Sequence, residues 1–239
     1  MQALRTPASV SISPVPVALP SRLTDRLVAE AVGTCLLLAA VVGSGIMADR
    51  LSGGSVGLAL LANSIATGAA LITVILVFGP ISGAHLNPAV TLVEFFRGRI
   101  TWREASGYIF SQLIGALLGV VLAHAMFALP LLSVAHHERG GASQILSEAV
   151  ATFGLIATIL GCARPRPSAV PFAVGLYITA AYWFTASTSF ANPAVTLART
   201  LTDTFTGIQP SNVPGFLLGQ LIGAGAAVFL FRWFDRGNR

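Results

Sequence analysis

The sequence predicts an all-α membrane protein in which six transmembrane helices and two re-entrant half-helices form an inverted repeat. Three observations lead to this prediction. Of the 239 residues, 54% are hydrophobic and only 10% are charged, whereas a soluble domain carries about 25% charged residues. Six long apolar segments follow one another along the chain. The pentapeptide Asn-Pro-Ala-Val-Thr occurs twice, at 87–91 and again at 192–196.

The apolar segments have the length that membrane crossing requires. A helix that spans a bilayer needs about 20 consecutive, mostly apolar residues. The third segment is interrupted by polar residues and the fifth is short, so their limits are the least sharply defined. The predicted spans are roughly 27–48, 56–78, 104–127, 143–163, 169–186 and 212–234.

Each pentapeptide has the features of a helix start. Its Asn can cap a helix, and its Pro suits the first helical position, where no N–H is needed. A helix that starts inside a membrane exposes unpaired donors and the positive end of its dipole, which is tolerated only where it lines a cavity. We therefore expect half-helices beginning at Asn87-Pro88-Ala89 and Asn192-Pro193-Ala194 to meet inside a pore.

The two halves of the chain resemble each other outside the pentapeptides as well. Glu30-Ala31-Val32 is matched by Glu148-Ala149-Val150, and the sequence at 112–116 is repeated at 220–224. Because each half has an odd number of spans, the second enters the membrane from the opposite side, and its binding region is expected near the midplane. This pattern predicts one domain over 25–239, with repeat halves at about 26–127 and 143–234.

The arginines indicate how the chain is oriented. All 14 basic residues are Arg, and they lie at span ends, which favours anionic lipid over nucleic acid as their partner. With cytoplasmic termini, eleven arginines face the cytoplasm and three, Arg50, Arg139 and Arg199, lie outside, as the positive-inside rule requires. Prolines interrupt residues 1–24 where a signal peptide needs an apolar run, so this stretch is predicted to be a disordered cytoplasmic tail.

These features together resemble the major intrinsic protein family of aquaporins and glycerol facilitators. The resemblance covers about residues 26–234, and two Asn-Pro-Ala motifs in matching halves make it specific. It is carried by the run Ser82–Thr91, by the second motif at 192–194, by Ala29-Glu30 with Gly33-Thr34, and by Gln112 with Gly115.

The resemblance implies a homotetramer with one pore in each subunit. Asn87 and Asn192 would donate their side-chain N–H groups to a passing hydroxyl or water oxygen. Fixed donors and acceptors of this kind replace the hydration that a neutral solute loses. The acceptors would be the backbone carbonyls of Gly83, Ala84 and His85 and of Thr188, Ser189 and Phe190.

The narrowest part of the family's pore has four lining positions. Counted without gaps from the two Asn residues, they fall on Thr67, Ala180, Ser189 and Val195. The family's usual residue at the last position is Arg, and water channels add a large aromatic and a His. The four residues here predict a wider, less polar aperture without a fixed cation. Arg199, one helical turn beyond Val195, is the alternative source of a charge at the mouth.

Two acids lie inside predicted spans. Ionisable groups within a membrane are rare and usually have a function. Glu30 and Glu148 are interpreted as acceptors that brace the re-entrant loops, and a proton relay is the alternative. His85 is likewise interpreted as a loop-bracing residue rather than a gate that opens on protonation. We expect no metal site at His136 and His137, and no cofactor.

The sequence therefore predicts a passive channel, and not an enzyme, in the bacterial inner (plasma) membrane. An arginine-less filter favours glycerol-like solutes and metalloid hydroxides, such as arsenite or methylated arsenic acids, with water passing as well. Aquaporin-like channels of bacterial arsenic resistance resemble this chain in lacking that arginine. An ordinary water channel or glycerol facilitator is the first alternative, and a secondary transporter, which also uses inverted repeats and broken helices, is the second.

Overall fold

A computed structural model describes residues 21–236 as a bundle of helices. The tail was predicted over residues 1–24, and its part up to position 20 lies outside the described residues. Residues 23 and 24 belong to the first helix, so the predicted tail is two residues too long at this end. The helices are α1 (Leu23–Leu51), α2 (Val56–Ser82), α3 (Pro88–Phe96), α4 (Trp102–Met126), α5 (Ala142–Ala163), α6 (Val170–Phe184), α7 (Pro193–Ala198) and α8 (Val213–Arg236).

The observed helices confirm the predicted pattern of spans and half-helices. By length and composition, α1, α2, α4, α5 and the segment Pro210–Arg236 are suited to cross a membrane. The helix α6 has 15 residues and is preceded by a short 3₁₀ turn at Pro167–Ala169. The short helices α3 and α7 begin at the two prolines of the repeated motif. The predicted six spans and two half-helices are therefore present, with α6 the shortest span.

The repeat appears in the way the helices pack. In the first half α4 packs on α1, and a Cβ added to Gly115 would overlap the carbonyl of Ala31. In the second half α8 packs on α5, and a Cβ at Gly223 would overlap the carbonyl of Ala149. These four residues occupy equivalent places in the repeated sequence, so the close approach of two helices at a glycine is itself repeated.

One end of the bundle is held by two ion pairs. Arg26 at the start of α1 pairs with Glu104 at the start of α4 at 2.5 Å. Arg164 after α5 pairs with Asp235 near the end of α8 at 2.6 Å. We call this end, where α1 begins and α8 ends, the terminal side, and the opposite end the distal side. Between them the outer surface exposes large apolar side chains such as Leu58, Phe172 and Phe229, as a lipid-facing surface does.

We expect Gly223→Ala to destabilise the bundle, because its methyl group meets the α5 backbone, which cannot move aside as a side chain can. Overpacking of this kind costs about 1–3 kcal/mol. The matched control is Gly225→Ala on the same helix, where nothing lies within 4 Å of the added atom. Thermal unfolding in detergent measures both variants. Equal melting temperatures for the two would contradict the packing role of Gly223.

Candidate functional site: a conduit between two half-helices

The two half-helices start as their sequences predict. The Asn87 Oδ1 atom accepts a hydrogen bond from the N–H of Ala89 at 2.8 Å, which caps α3. The Asn192 Oδ1 atom accepts from the N–H groups of Ala194 at 3.0 Å and Val195 at 3.3 Å, which caps α7. Each cap uses the oxygen of the Asn amide and leaves the NH₂ group for other partners.

The Asn amides tie the two half-helices to each other. Asn87 Nδ2 donates to the carbonyl of Ala191 at 2.7 Å, and Asn192 Nδ2 donates to the carbonyl of Leu86 at 2.8 Å. An amide nitrogen has two N–H groups. Within residues 21–236 the second N–H of each Asn has no protein acceptor, and both Asn residues line the cavity described below. A donor on each half-helix is therefore left for a solute.

The segments before the half-helices have an unusual backbone that repeats with the sequence. Residues at equivalent places have positive φ: Gly83 and Thr188, Ala84 and Ser189, Leu86 and Ala191. Five of these six are not glycine, and this conformation costs an ordinary residue roughly 1–2 kcal/mol. Strain of this kind persists only where the surroundings fix it, and it is common at binding sites.

The carbonyl groups of these segments remain available. Within the described chain, the six carbonyls predicted to line the pore accept no hydrogen bond from the protein. They belong to Gly83, Ala84, His85, Thr188, Ser189 and Phe190, and all of these except Thr188 are in residues that line the cavity. A row of unpaired carbonyls in a buried place needs a donor from outside the protein, such as a hydroxyl group or a water molecule.

Glu30 fixes the first of these segments. Its carboxylate accepts from the N–H groups of His85 at 2.9 Å and Leu86 at 2.7 Å, from Ser82 Oγ at 2.6 Å and from Gln112 Nε2 at 2.8 Å. Glu30 is fully buried. The four donors leave little room for the alternative role as a proton relay, since both oxygens are already used.

Glu148 holds the second segment with an equivalent set of donors. They are the N–H groups of Phe190 at 2.9 Å and Ala191 at 2.8 Å, Ser187 Oγ at 2.6 Å and Gln220 Nε2 at 2.6 Å. Glu148 is also fully buried. Both acids therefore make the contacts that a loop-bracing role requires. His85 contributes as well, since its Nδ1 lies 3.1 Å from Thr91 Oγ1 in α3.

One cavity of about 370 Å³ runs past both Asn residues. At the terminal side its wall includes Arg97, Arg99 and Arg164, and at the distal side Tyr182, Ser189 and Arg199. Its middle is lined by the two Asn amides, by the loop segments and by apolar side chains of α1, α2, α5 and α6. The repeated motifs thus face a shared interior space.

Three of the four predicted constriction residues line this cavity, and Ala180 does not. Thr67, Ser189 and Val195 are on the wall, whereas Ala180 is exposed on the outside of α6. The wall residues of α6 are Val170, Val174, Ile178 and Tyr182. Their four-residue spacing marks one helical face, and Ala180 lies off that face. The gapless count is therefore wrong for this helix. Tyr182, whose hydroxyl lies 3.2 Å from Thr67 Oγ1, is the α6 wall residue in contact with Thr67.

The cavity also has a cation that the preferred interpretation of the sequence left out. Arg199 lies on the wall, is only 2% exposed, and places its Cζ atom 3.4 Å from the centre of the Phe190 ring. Its Nε group donates to the carbonyl of Thr206. The expectation of an aperture without a fixed cation or an aromatic is thus wrong. Position 195 itself is apolar, but the Arg199 guanidinium, one helical turn further along, lies on the cavity wall.

Comparisons with known proteins point to one family. The family model described as Major intrinsic protein matches residues 20–189. The chain is 58% identical over 211 residues to Aquaglyceroporin AqpS of Rhizobium meliloti (strain 1021), covering 88% of this chain and 90% of that protein. It is 32% identical to Probable aquaporin AqpM of Archaeoglobus fulgidus, covering 90% and 98%.

A solved structure shows the same fold. The X-ray structure of the aquaglyceroporin from Plasmodium falciparum matches with a TM-score of 0.72 at 20% sequence identity. The match covers 88% of this chain and 96% of that one. At this identity the likeness shows the fold alone.

We expect Glu148→Gln to destabilise the protein, because an amide NH₂ would face donors where the carboxylate now accepts. Each unmet buried donor costs about 1–3 kcal/mol. Glu138→Gln, on an exposed loop, is the control. Thermal unfolding of the purified variants should show a lower melting temperature for Glu148→Gln alone. A Glu148→Gln protein as stable as the unmodified one would contradict the bracing role.

Proposed function

The chain belongs to the major intrinsic protein family, and from this premise we propose that it is a passive transmembrane channel for small uncharged solutes such as water and glycerol. The observation that carries the proposal is the pair of Asn amides on one cavity wall, each with an N–H left unused by the described protein. Together with the unpaired carbonyls they offer the donors and acceptors that a neutral solute needs when it leaves water.

The charges on the wall support passive flow. A secondary transporter needs ion-coupling or substrate-binding charges near the membrane midplane. Among the described residues that line the cavity, the only carboxylate is Glu94, which pairs with Arg97 at 2.7 Å near the terminal side. The buried acids Glu30 and Glu148 are not on the wall, and their oxygens are occupied. No acidic group faces the middle of the conduit in the described part of the chain.

We propose further that solutes larger than water pass as well. Val195 stands where the family usually has Arg, so this part of the wall is apolar and short. A wall of this kind leaves room for neutral molecules of glycerol size. It leaves room likewise for undissociated metalloid hydroxides such as arsenous acid and the methylated arsenic acids. The relative AqpS is itself named an aquaglyceroporin. A water-selective channel, with Tyr182 and Arg199 narrowing the mouth, is the second candidate.

The protein is an integral, multi-pass membrane protein, and its setting in the cell is part of the proposal. The bacterial inner membrane and cytoplasmic termini are supported by the distribution of arginines, with the terminal side facing the cytoplasm. Assembly as a homotetramer is supported by family membership. The exposed apolar residues of α1 and α2, among them Leu36, Leu58 and Ile65, supply surface for lipid and for neighbouring subunits.

Val195→Arg tests the substrate proposal in proteoliposomes. A guanidinium added to the wall should reduce glycerol and arsenous acid flux by about tenfold, which corresponds to ~1.4 kcal/mol in the barrier, and should spare water. Val195→Leu adds bulk without charge and is the matched control. Stopped-flow light scattering measures water and glycerol, and arsenic uptake is measured directly. If the unmodified protein passes water alone, or if Val195→Arg leaves glycerol and arsenous acid flux unchanged, the proposal that Val195 lets larger solutes pass fails.

Flux measurements in the same vesicles distinguish a channel from a secondary transporter. Flux through a channel depends on the solute gradient alone and is unaffected by ionophores that collapse proton or sodium gradients. Accumulation of solute against its gradient would instead identify a secondary transporter.

A further inference from the structure

Two arginines at the distal side lie against the same aromatic ring, that of Phe190. The Cζ atom of Arg199 lies 3.4 Å from the centre of the Phe190 ring, and that of Arg139 lies 5.3 Å from it. The two Cζ atoms cannot be farther apart than the sum of these distances. Arg139 reaches this position from the loop between α4 and α5, where it donates to the carbonyl of Gly207 at 2.9 Å.

These two cations have no carboxylate partner in the part of the chain that the structure describes. Its ion pairs within 4 Å involve other residues. Glu148 on α5, the acid that braces the neighbouring loop segment, is already satisfied by four other donors. Burial lowers the pKa of Arg139 to about 10, because a guanidinium that leaves water loses the solvation of its charge. Two like charges held close together in such a place repel each other and favour a counter-ion.

Several donors at this place are unused. Within residues 21–236 the Arg199 side chain has one protein acceptor, the carbonyl of Thr206, which its Nε group uses. Its two terminal NH₂ groups are left without a protein acceptor. Ser189 is 3% exposed, and its hydroxyl is buried without a hydrogen-bond partner. Both Arg199 and Ser189 line the cavity. A buried hydroxyl without a partner is unusual in a native protein. Together with a guanidinium on the same cavity wall that keeps two NH₂ groups unused, it indicates that a ligand supplies the acceptors.

We propose that Arg199, Ser189 and Arg139 form a binding site for a small oxyanion at the distal end of the conduit, which we call the distal arginine site. A guanidinium presents parallel N–H groups that match the two oxygens of a carboxylate or similar oxyacid. Ser189 adds a hydroxyl donor on the same wall, and Arg139 adds charge from the loop. An anion bound there neutralises the arginine pair and occupies space that a neutral solute must cross.

The competing explanation is that Arg199 is a permanently unpaired cation. The Phe190 ring and the Thr206 carbonyl would then stabilise it without any ligand, through a cation–π contact and one hydrogen bond. Its role would be to repel cations from the conduit. The two explanations differ in one observable property, which is whether an oxyanion binds more tightly than a halide at equal ionic strength.

Thermal unfolding of the purified full-length protein in detergent tests the site with sodium formate as the probe and sodium chloride as the control. Ligands that bind the folded state raise its melting temperature. We expect formate to stabilise the unmodified protein more than chloride does at equal ionic strength. Arg199→Met should weaken the apparent affinity for formate by about tenfold or more, because the charged fork is lost. Ser189→Ala should weaken it by a smaller factor.

Arg50→Met is the matched control. Arg50 also lies at the distal side over an aromatic ring, Phe127 at 5.2 Å, but it is exposed and does not line the cavity. The melting temperature of the Arg50→Met variant should respond to formate as that of the unmodified protein does. Arg199→Lys keeps the charge without the fork, so it provides a second variant if Arg199→Met does not fold, and it too should bind formate more weakly.

Two results would overturn the proposal. One is equal stabilisation of the unmodified protein by formate and chloride, which identifies Arg199 as an unpaired cation. The other is undiminished formate binding by the Arg199 and Ser189 variants. Because binding is measured without flux, the outcome is independent of whether the protein conducts glycerol. If it does conduct, formate on the distal side should slow glycerol entry into vesicles that contain the unmodified protein, and should slow it less with Ser189→Ala.

Discussion

The structure depends on satisfying the backbone N–H groups of two non-helical stretches, which are held on the buried acids Glu30 and Glu148. Unpaired N–H groups in a membrane interior cost several kcal/mol each. Glu30 and Glu148 each bind two consecutive N–H groups of such a stretch. With its N–H groups held on the acid, each stretch leaves its carbonyls unpaired for the cavity. The reciprocal bonds from Asn87 and Asn192 then join the half-helices.

The repeat supplies the frame, and the differences between its halves supply the chemistry. Thr91 and Thr196 accept equivalent bonds from Gln112 and Gln220, each at 2.9 Å. The residues that precede the motifs differ. His85 contacts Thr91 inside its own half, whereas its counterpart Phe190 lies beneath the Arg199 guanidinium. One end of the conduit therefore has an aromatic ring and a buried cation with no equivalent in the other half.

Much of this was predictable because it follows from local rules. Apolar length indicates the spans, and Asn-Pro predicts the helix starts. The side of a helix that faces the cavity depends instead on packing between helices. Gly68 and Gly175 let α2 and α6 approach closely, which turns Tyr182 inward and Ala180 outward. The four-residue spacing from Val170 to Tyr182 was the available signal. The place of Arg199 depends on α7 ending at Ala198 and on the hydrogen bond from its Nε group to Thr206 in the segment that follows.

The central claim is that the two Asn amides face an aqueous conduit rather than packed protein. The most direct test is an experimental structure at a resolution that shows ordered water. We expect a row of ordered water oxygens through the cavity. One oxygen should lie within hydrogen-bond distance, about 2.7–3.2 Å, of Asn87 Nδ2, and the same or a neighbouring oxygen should lie within that distance of Asn192 Nδ2. Asn side chains far apart, or apolar groups filling the space between them, would contradict it.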